Sequence, residues 1–431
     1  RAGHVTPEAL APVRKSLLPP LQESVGRSTI HHTSREENGP MASLPKRIFP
    51  EAAAVDYGAH EAAMAAYRAD GEARALALGN RGPIRFDEGG TLQQSIVDAY
   101  WEHGFYVFEG VLGTQELKDI EADVADVVAR LPVEKGAPLD RYGRTAIGAD
   151  CRAPTVSWAR PLSDPVGGTD RNNGRHPAKM IEPVAPQDAP AHVVQLVLGN
   201  LQFSPACLRV YGHPQLLAVA AAINGDDFVP FNEALWMKRP GLGASVAWHQ
   251  DGTTHWDSPD LDAGSHGFNF MGQLYGSTAE NGVWVVPGTH RLGKVDIKAM
   301  VEEAGSDRLP TAVPMICGPG DVVMCNRQAV HGSFANTSTQ ARVTLNFGFH
   351  QRASVLGVQG GGIHNELVVY DAERIFERSK IIAYAIDARR QRFPQEPSYR
   401  YRPFDGIQDD YPWDERARAA IKDYNLLDLG I

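Results

Sequence analysis

From Phe228 to His350 the chain is a succession of short β-prone runs separated by strong turn signals, and nothing else in it constrains the fold as much. The runs lie near Asn232–Lys238, Val246–His249, Phe268–Tyr275, Val283–Val286, Asp321–Asn326 and Arg342–His350. Pro240-Gly241, Asn281-Gly282, Pro287-Gly288 and Gly318-Pro319-Gly320 punctuate them, and Glu280-Asn281-Gly282 fits a tight hairpin turn. Short strands at such regular spacing indicate a sandwich or barrel, and a double-sheet jelly roll is one way to protect the edges. The expected fold class is mainly β with flanking helices.

One of these runs ends in metal-binding chemistry. Val246-Ala247-Trp248 leads into His249, with Asp251 two residues on. Side chains two apart on a strand share a face, so an imidazole and a carboxylate project together from a strand end. Two His and one carboxylate on one side of a metal form the set used by non-haem Fe(II) oxygenases. The missing ligand has to come from later in the chain, and His331 is the candidate. The spacing alone decides little. With 15 His and 52 acidic residues in 431, roughly 1.8 His-x-acid triplets (15 × 52/431) arise by chance. Three occur: His249/Asp251, His255/Asp257 and His364/Glu366. Context ranks the first highest, because it follows an apolar strand and opens into Gly252-Thr253-Thr254. The second lies within the loop itself, and the third follows Gly360-Gly361-Gly362.

Composition narrows the function classes. A net charge of −10 with no basic block argues against a nucleic-acid partner. No apolar run approaches the ~20 residues of a membrane span, and 43% hydrophobic residues are ample for a core. Cys151, Cys207, Cys317 and Cys325 form no Cys-x-x-Cys pair. They read as plain thiols of a reducing compartment, so a cytoplasmic location is expected. Asn336-Thr337-Ser338 is read as a polar turn.

In chain order, residues 1–45 are expected to be a disordered leader or a vector-derived segment, and 46–431 a single domain. Its helical N-terminal part spans 51–131. There Leu92 to Trp101 is a helix stopped by Gly104, Phe105–Phe108 is an aromatic strand, and Thr114 can cap a helix. The apolar face of that helix is Leu117, Ile120, Val124, Val127 and Leu131. Residues 132–190, rich in Pro, Gly, Asp and Arg, read as an active-site lid or as disorder. The β core covers about 195–352, with a packing extension over 353–431 that is partly helical at Tyr370–Arg390.

The last strand carries the second half of the site. Val343, Leu345, Phe347 and Phe349 share one face; Arg342, Thr344, Asn346 and Gly348 share the other. An Arg inside a barrel is costly unless it meets an anion. Its planar fork suits a carboxylate, to which Thr344 or Ser333 can add a hydroxyl. The other reading is an outward, solvated Arg.

Gly104-Phe105-Tyr106-Val107-Phe108, Lys238-Arg239-Pro240-Gly241 before Trp248-His249-Gln250-Asp251, and the run from Glu280-Asn281-Gly282 to Pro287-Gly288-Thr289-His290 form an ordered set. Gly318-Pro319-Gly320-Asp321 and His331-Gly332-Ser333 with Asn336 and Arg342 complete it. Together they resemble the phytanoyl-CoA dioxygenase family of Fe(II)/2-oxoglutarate oxygenases over roughly residues 90–352. The resemblance implies a double-stranded β-helix (jelly-roll, cupin-like) core. It implies His249, Asp251 and His331 as iron ligands, and Arg342 with Ser333 on the distal carboxylate of 2-oxoglutarate. Thr344, Asn232 and Gln273 are further candidates for the cosubstrate side. His290, in a structural turn of the family, stays outside the metal set. Asp251 fills the place that halogenating relatives leave to halide. The resemblance therefore implies hydroxylation or desaturation of a small organic molecule with O2, coupled to conversion of 2-oxoglutarate into succinate and CO2. Trp236, Trp248, Trp256 and Phe270 are candidates for the substrate pocket, although aromatics in a barrel also serve simply as core. Tyr275-Gly276 departs from the family, which often has an acidic pair there. The rival readings are a jelly-roll metalloenzyme without 2-oxoglutarate and a non-catalytic binding module.

Overall fold

The computed structural model describes residues 48–50, 52–252, 267–360 and 368–428. The strands are β1 (Arg81–Gly82), β2 (Phe105–Phe108), β3 (Val156–Ala159), β4 (Val193–Leu198), β5 (Val229–Lys238), β6 (Val246–His249), β7 (Gly267–Gln273), β8 (Trp284–Val285), β9 (Val313–Pro314), β10 (Val322–Asn326), β11 (His331–Ser333) and β12 (Arg342–His350). Among the described residues, one sheet has eight strands in the order β1-β2-β10-β7-β12-β5-β4-β3, and a second has four in the order β6-β11-β8-β9.

The winding defines the fold. From β5 to β12 successive strands alternate between the two sheets, except β9, which returns beside β8. Apart from the short β1–β2 pair, all the pairings within the two sheets are antiparallel. This is a double-stranded β-helix, a jelly roll whose two sheets face each other across one cavity. The alternation corrects one expectation. Glu280-Asn281-Gly282 does not close a hairpin, because β7 belongs to the large sheet and β8 to the small one. The turn instead carries the chain across, with Gly282 N–H donating to Thr278 O at 2.8 Å. The large sheet also extends beyond the expected core, since β1, β2 and β3 come from residues 81–159.

Helices cover the outer faces. Phe268, Phe270, Phe347 and Phe349 point out of the large sheet and pack on one another, and Phe347 and Phe349 meet Tyr211 of helix Pro205–Tyr211. Outside the small sheet, Trp248 and Trp284 pack with Met64 of helix Glu61–Ala77, Phe334 and Ile297. Gly104 has two reasons to be glycine. It ends helix Gln94–His103 at φ 81°, and a Cβ there would lie 2.5 Å from His290 Nδ1. His290 itself bonds Trp101 O through Nε2 at 3.0 Å, which fits a structural turn. The next helix (Thr114–Ala129) is capped by Glu116, which accepts from Gly113 N–H at 3.3 Å, rather than by Thr114. Among the described residues no helix is long and apolar enough to cross a membrane.

The C-terminal extension docks through buried charge. Helix Ala372–Arg392 brings Arg378 to Asp428 at 2.5 Å, and the Tyr424 hydroxyl donates to Glu233, which is fully buried on β5. Burial pushes the Glu233 carboxyl up from 4.5 to about 8. A carboxyl with a raised folded-state pKa holds a proton that the unfolded chain has already lost. Stability is then greatest below about 4.5 and falls as pH rises toward about 8. The slope approaches about 1.4 kcal/mol per pH unit at its steepest. Glu233→Gln, neutral at every pH, is expected to flatten that decline in urea unfolding from pH 5 to 9. An unchanged slope would show that Glu233 is already ionised in the fold.

Candidate metal centre

Strand register assembles the site. Antiparallel pairing of β11 with β6 sets His331 directly opposite His249, with ring centroids 4.2 Å apart. Asp251, just past β6, lies 3.4 Å from His249 Nε2 and 3.9 Å from His331 Nε2. One donor atom from each of the three falls within 4.8 Å of the others, and all three residues are buried.

Two backbone carbonyls orient the imidazoles. His249 Nδ1 meets Ala247 O at 2.9 Å and His331 Nδ1 meets Ala329 O at 2.9 Å. A carbonyl only accepts, so each Nδ1 carries the proton and each Nε2 is left facing Asp251, the atom available to a metal. Burial, then the neighbouring His249, lowers His331 to about 4, so its imidazole is neutral. Burial alone would raise the Asp251 carboxyl. Its His249, His331 and Arg175 neighbours outweigh burial and hold Asp251 well below the usual range. Asn269 Nδ2 donates to Asp251 Oδ2 at 2.8 Å. Behind it lies Arg327, fully buried at 4.0 Å from Asp251 and stacked on Phe231 at 3.7 Å.

The triad opens onto a cavity of about 600 Å³ between the two sheets. Arg342, Thr344 and Asn346 of β12 line it, as do Asn232 and Trp236 of β5 and Ser333 of β11. The polar face of β12 therefore points inward, and Arg342 is buried rather than solvated. One guanidinium nitrogen donates to Asn281 O at 2.9 Å, while Nε has no partner among the described residues. Lys238 sits opposite Arg342 in register and is also buried, its ammonium donating to Phe334 O. Among the described residues neither has an acidic partner within ion-pair range. Burial lowers Arg342 to about 10 and Lys238 well below its ordinary value. A buried guanidinium without an anion among the described residues makes a site that favours one.

The family model for phytanoyl-CoA dioxygenase matches residues 100–344. The chain belongs to the phytanoyl-CoA dioxygenase family. Phytanoyl-CoA dioxygenase 1 of Oryza sativa subsp. japonica is 30% identical over 116 residues, which are 25% of this chain and 40% of that protein. Among solved structures, EctD from S. alaskensis with 2-oxoglutarate and 5-hydroxyectoine is similar at 18% identity and TM-score 0.44. That match covers 63% of this chain and 81% of EctD. AviO1 from Streptomyces viridochromogenes Tue57 is similar at 22% identity and TM-score 0.40, over 60% of this chain and 94% of its own. The chain spans less than half the length of the rice relative and of EvdMO1, which is 22% identical at TM-score 0.39 over 58% of this chain.

Within this family member, not every residue singled out from the sequence reaches the cavity. Trp248 does not, because it points out of the small sheet and its indole donates to Asp307 O at 2.7 Å. Phe270 does not either, because Asn269 and Met271 take the inward positions of β7 and period 2 turns Phe270 outward. Gln273 lies one step beyond the cavity wall and accepts from the Thr344 hydroxyl at 2.8 Å. Trp256, His255, Asp257, His364 and Glu366 lie outside the described residues. The sequence reading missed Asn269, although the alternation that placed Gln273 inward also places Asn269 there. It missed Arg327, Arg175 and His176 for want of any local signal. The 132–190 segment contributes strand β3 and cavity wall: Arg175 reaches 3.7 Å from Asp251, and the His176 ring lies 4.4 Å from that of His249.

Proposed function

We propose that this chain is an Fe(II)- and 2-oxoglutarate-dependent dioxygenase that hydroxylates or desaturates a small organic substrate. The observation carrying this reading is that one cavity holds both a buried His-Asp-His set and a buried Arg342 whose hydrogen-bond partner among the described residues is a backbone carbonyl. Two neutral-capable nitrogens and one ionised carboxylate match the preference of Fe(II), with coordination positions left for ligands from the cavity. His249, Asp251 and His331 would hold the iron. Arg342, with Ser333 and Thr344 beside it on the wall, would take the distal carboxylate of 2-oxoglutarate in a fork-to-carboxylate pair. Iron and 2-oxoglutarate bound there would supply the O2-dependent oxidation of a C–H bond, with release of succinate and CO2.

The protein's own contributions are positional. Asn269 and the two carbonyls fix the donor atoms, and Arg327 supports Asp251 from behind. The walls exclude water, and Asn232 and Trp236 face the space left for substrate. In the domain reading that goes with this, 46–431 is one oxygenase unit and the 165–176 stretch closes the cavity above the triad.

Adding Fe(II) and 2-oxoglutarate anaerobically to metal-free protein is expected to produce the weak visible charge-transfer band of the chelate, and admitting O2 to produce succinate. Bound iron with neither band nor succinate would instead favour a jelly-roll metalloenzyme that does not use 2-oxoglutarate. Protein that binds no iron would be a binding module.

A further inference from the structure

The cavity carries more positive charge than the cofactor set uses. Its walls present Lys135, Arg171, Arg175 and Arg342 against a single acid, Asp251, among the described residues, in a chain whose net charge is −10. Arg342 is matched by 2-oxoglutarate on the reading above, and Asp251 by the metal. Lys135 and Arg171 are exposed at the rim, where charge steers rather than binds.

Arg175 is different. Only 14% of its side chain is exposed, and its Nε and Nη1 are buried without a hydrogen-bond partner among the described residues. The 3.7 Å separation from Asp251 is too long for a hydrogen bond. Asp251 already accepts from Asn269 and is backed by Arg327. His176, next in the chain and 1% exposed, leaves its Nδ1 equally unpartnered. Three buried nitrogens thus lie together above the triad, on a segment separate from the strand that carries Arg342. A buried, planar guanidinium with an unpartnered Nε is a donor that suits a carboxylate. Trp158, Leu196, Leu198, Ala234 and Trp236 give the same cavity an apolar share of wall, with Ser157, Gln195 and Asn232 between them.

Resting on the oxygenase reading, we propose that Arg175, with His176 beside it, anchors a carboxylate of the substrate, so that the enzyme acts on small organic acids with an apolar body. Arg175 is thereby a substrate-binding and specificity-determining residue.

The test uses Fe(II) protein saturated with 2-oxoglutarate under anaerobic conditions, so that Arg342 is occupied. It is titrated calorimetrically with hexanoate, hexanamide and hexyl phosphate, in wild type and in Arg175→Gln. Hexanoate is expected to bind wild type about tenfold more tightly than the amide, as suits a charge-assisted bidentate pair. In Arg175→Gln that preference disappears while the charge-transfer band of iron with 2-oxoglutarate still forms, which certifies that the variant is folded. Equal binding of acid and amide to wild type, or a preference that survives in Arg175→Gln, overturns the proposal. Tighter binding of hexyl phosphate than hexanoate overturns the carboxylate class. Weakened 2-oxoglutarate binding in Arg175→Gln assigns the residue to the cosubstrate instead. A wild type with no band but an intact acid preference would sink the cofactor reading alone.

Discussion

Arg342→Ala is expected to weaken 2-oxoglutarate binding by about a hundredfold, while leaving iron binding nearly unchanged. The guanidinium is buried on the cavity wall, where a carboxylate left unpaired loses both its charge partner and its water. Breaking a buried pair in this way costs about 3–5 kcal/mol, roughly two to three and a half powers of ten in affinity. The lower end is expected, because Ser333 and Thr344 on the same wall keep hydroxyls to offer the anion. Arg342→Lys keeps a charge but not the fork, and an intermediate loss of about tenfold follows. The readout is an anaerobic 2-oxoglutarate titration of the charge-transfer band in the three proteins. An affinity unmoved by Arg342→Ala would remove this residue from the cosubstrate site and reopen the metalloenzyme reading without 2-oxoglutarate.

Asp251→Ala is expected to abolish turnover and to lower iron affinity by more than about a hundredfold, beyond the 10–100-fold typical of losing an outer-shell partner. Two imidazoles remain, but the only carboxylate of the set is gone, and with it the charge that offsets the metal's. The metal-free variant also suffers, because Arg327 is fully buried and keeps no other acid within 4.0 Å among the described residues. Destabilisation of about 3 kcal/mol or less is expected, since Arg327 keeps its contacts with His350 and the Phe231 ring. Bound iron after desalting, and the rise in Tm on adding Fe(II) anaerobically, separate the two effects. A variant that keeps the wild-type metal-dependent rise in Tm would show that Asp251 is not a ligand.

What was legible in advance followed from local geometry. Strand periodicity is a property of the backbone alone, so the inward face of Arg342, Thr344 and Asn346 could be read along β12, and the shared face of His249 and Asp251 along the end of β6. The same rule misled where a strand's phase was not tied to a polar residue. Phe270 was placed near the site although Asn269, one residue earlier, occupies the inward position. Trp248 immediately precedes a metal-ligand candidate and for that very reason points the other way, into the packing under helix Glu61–Ala77.

The chain's own text thus pointed to a β sandwich or barrel, offered His249, Asp251 and His331 as candidates in that order, and put Arg342 on the polar face of the last strand. The tertiary structure alone decided that β11 pairs with β6 in the register that faces His331 to His249, and that Asn281 O is the only described partner of Arg342. It also decided that Arg175 and His176 arrive above the triad from a segment with no periodicity. Spacing along one strand is set by bonds and steric limits a few residues long. Pairing between strands and the docking of an irregular segment are set by side-chain packing across tens to hundreds of residues, which no short window of sequence contains.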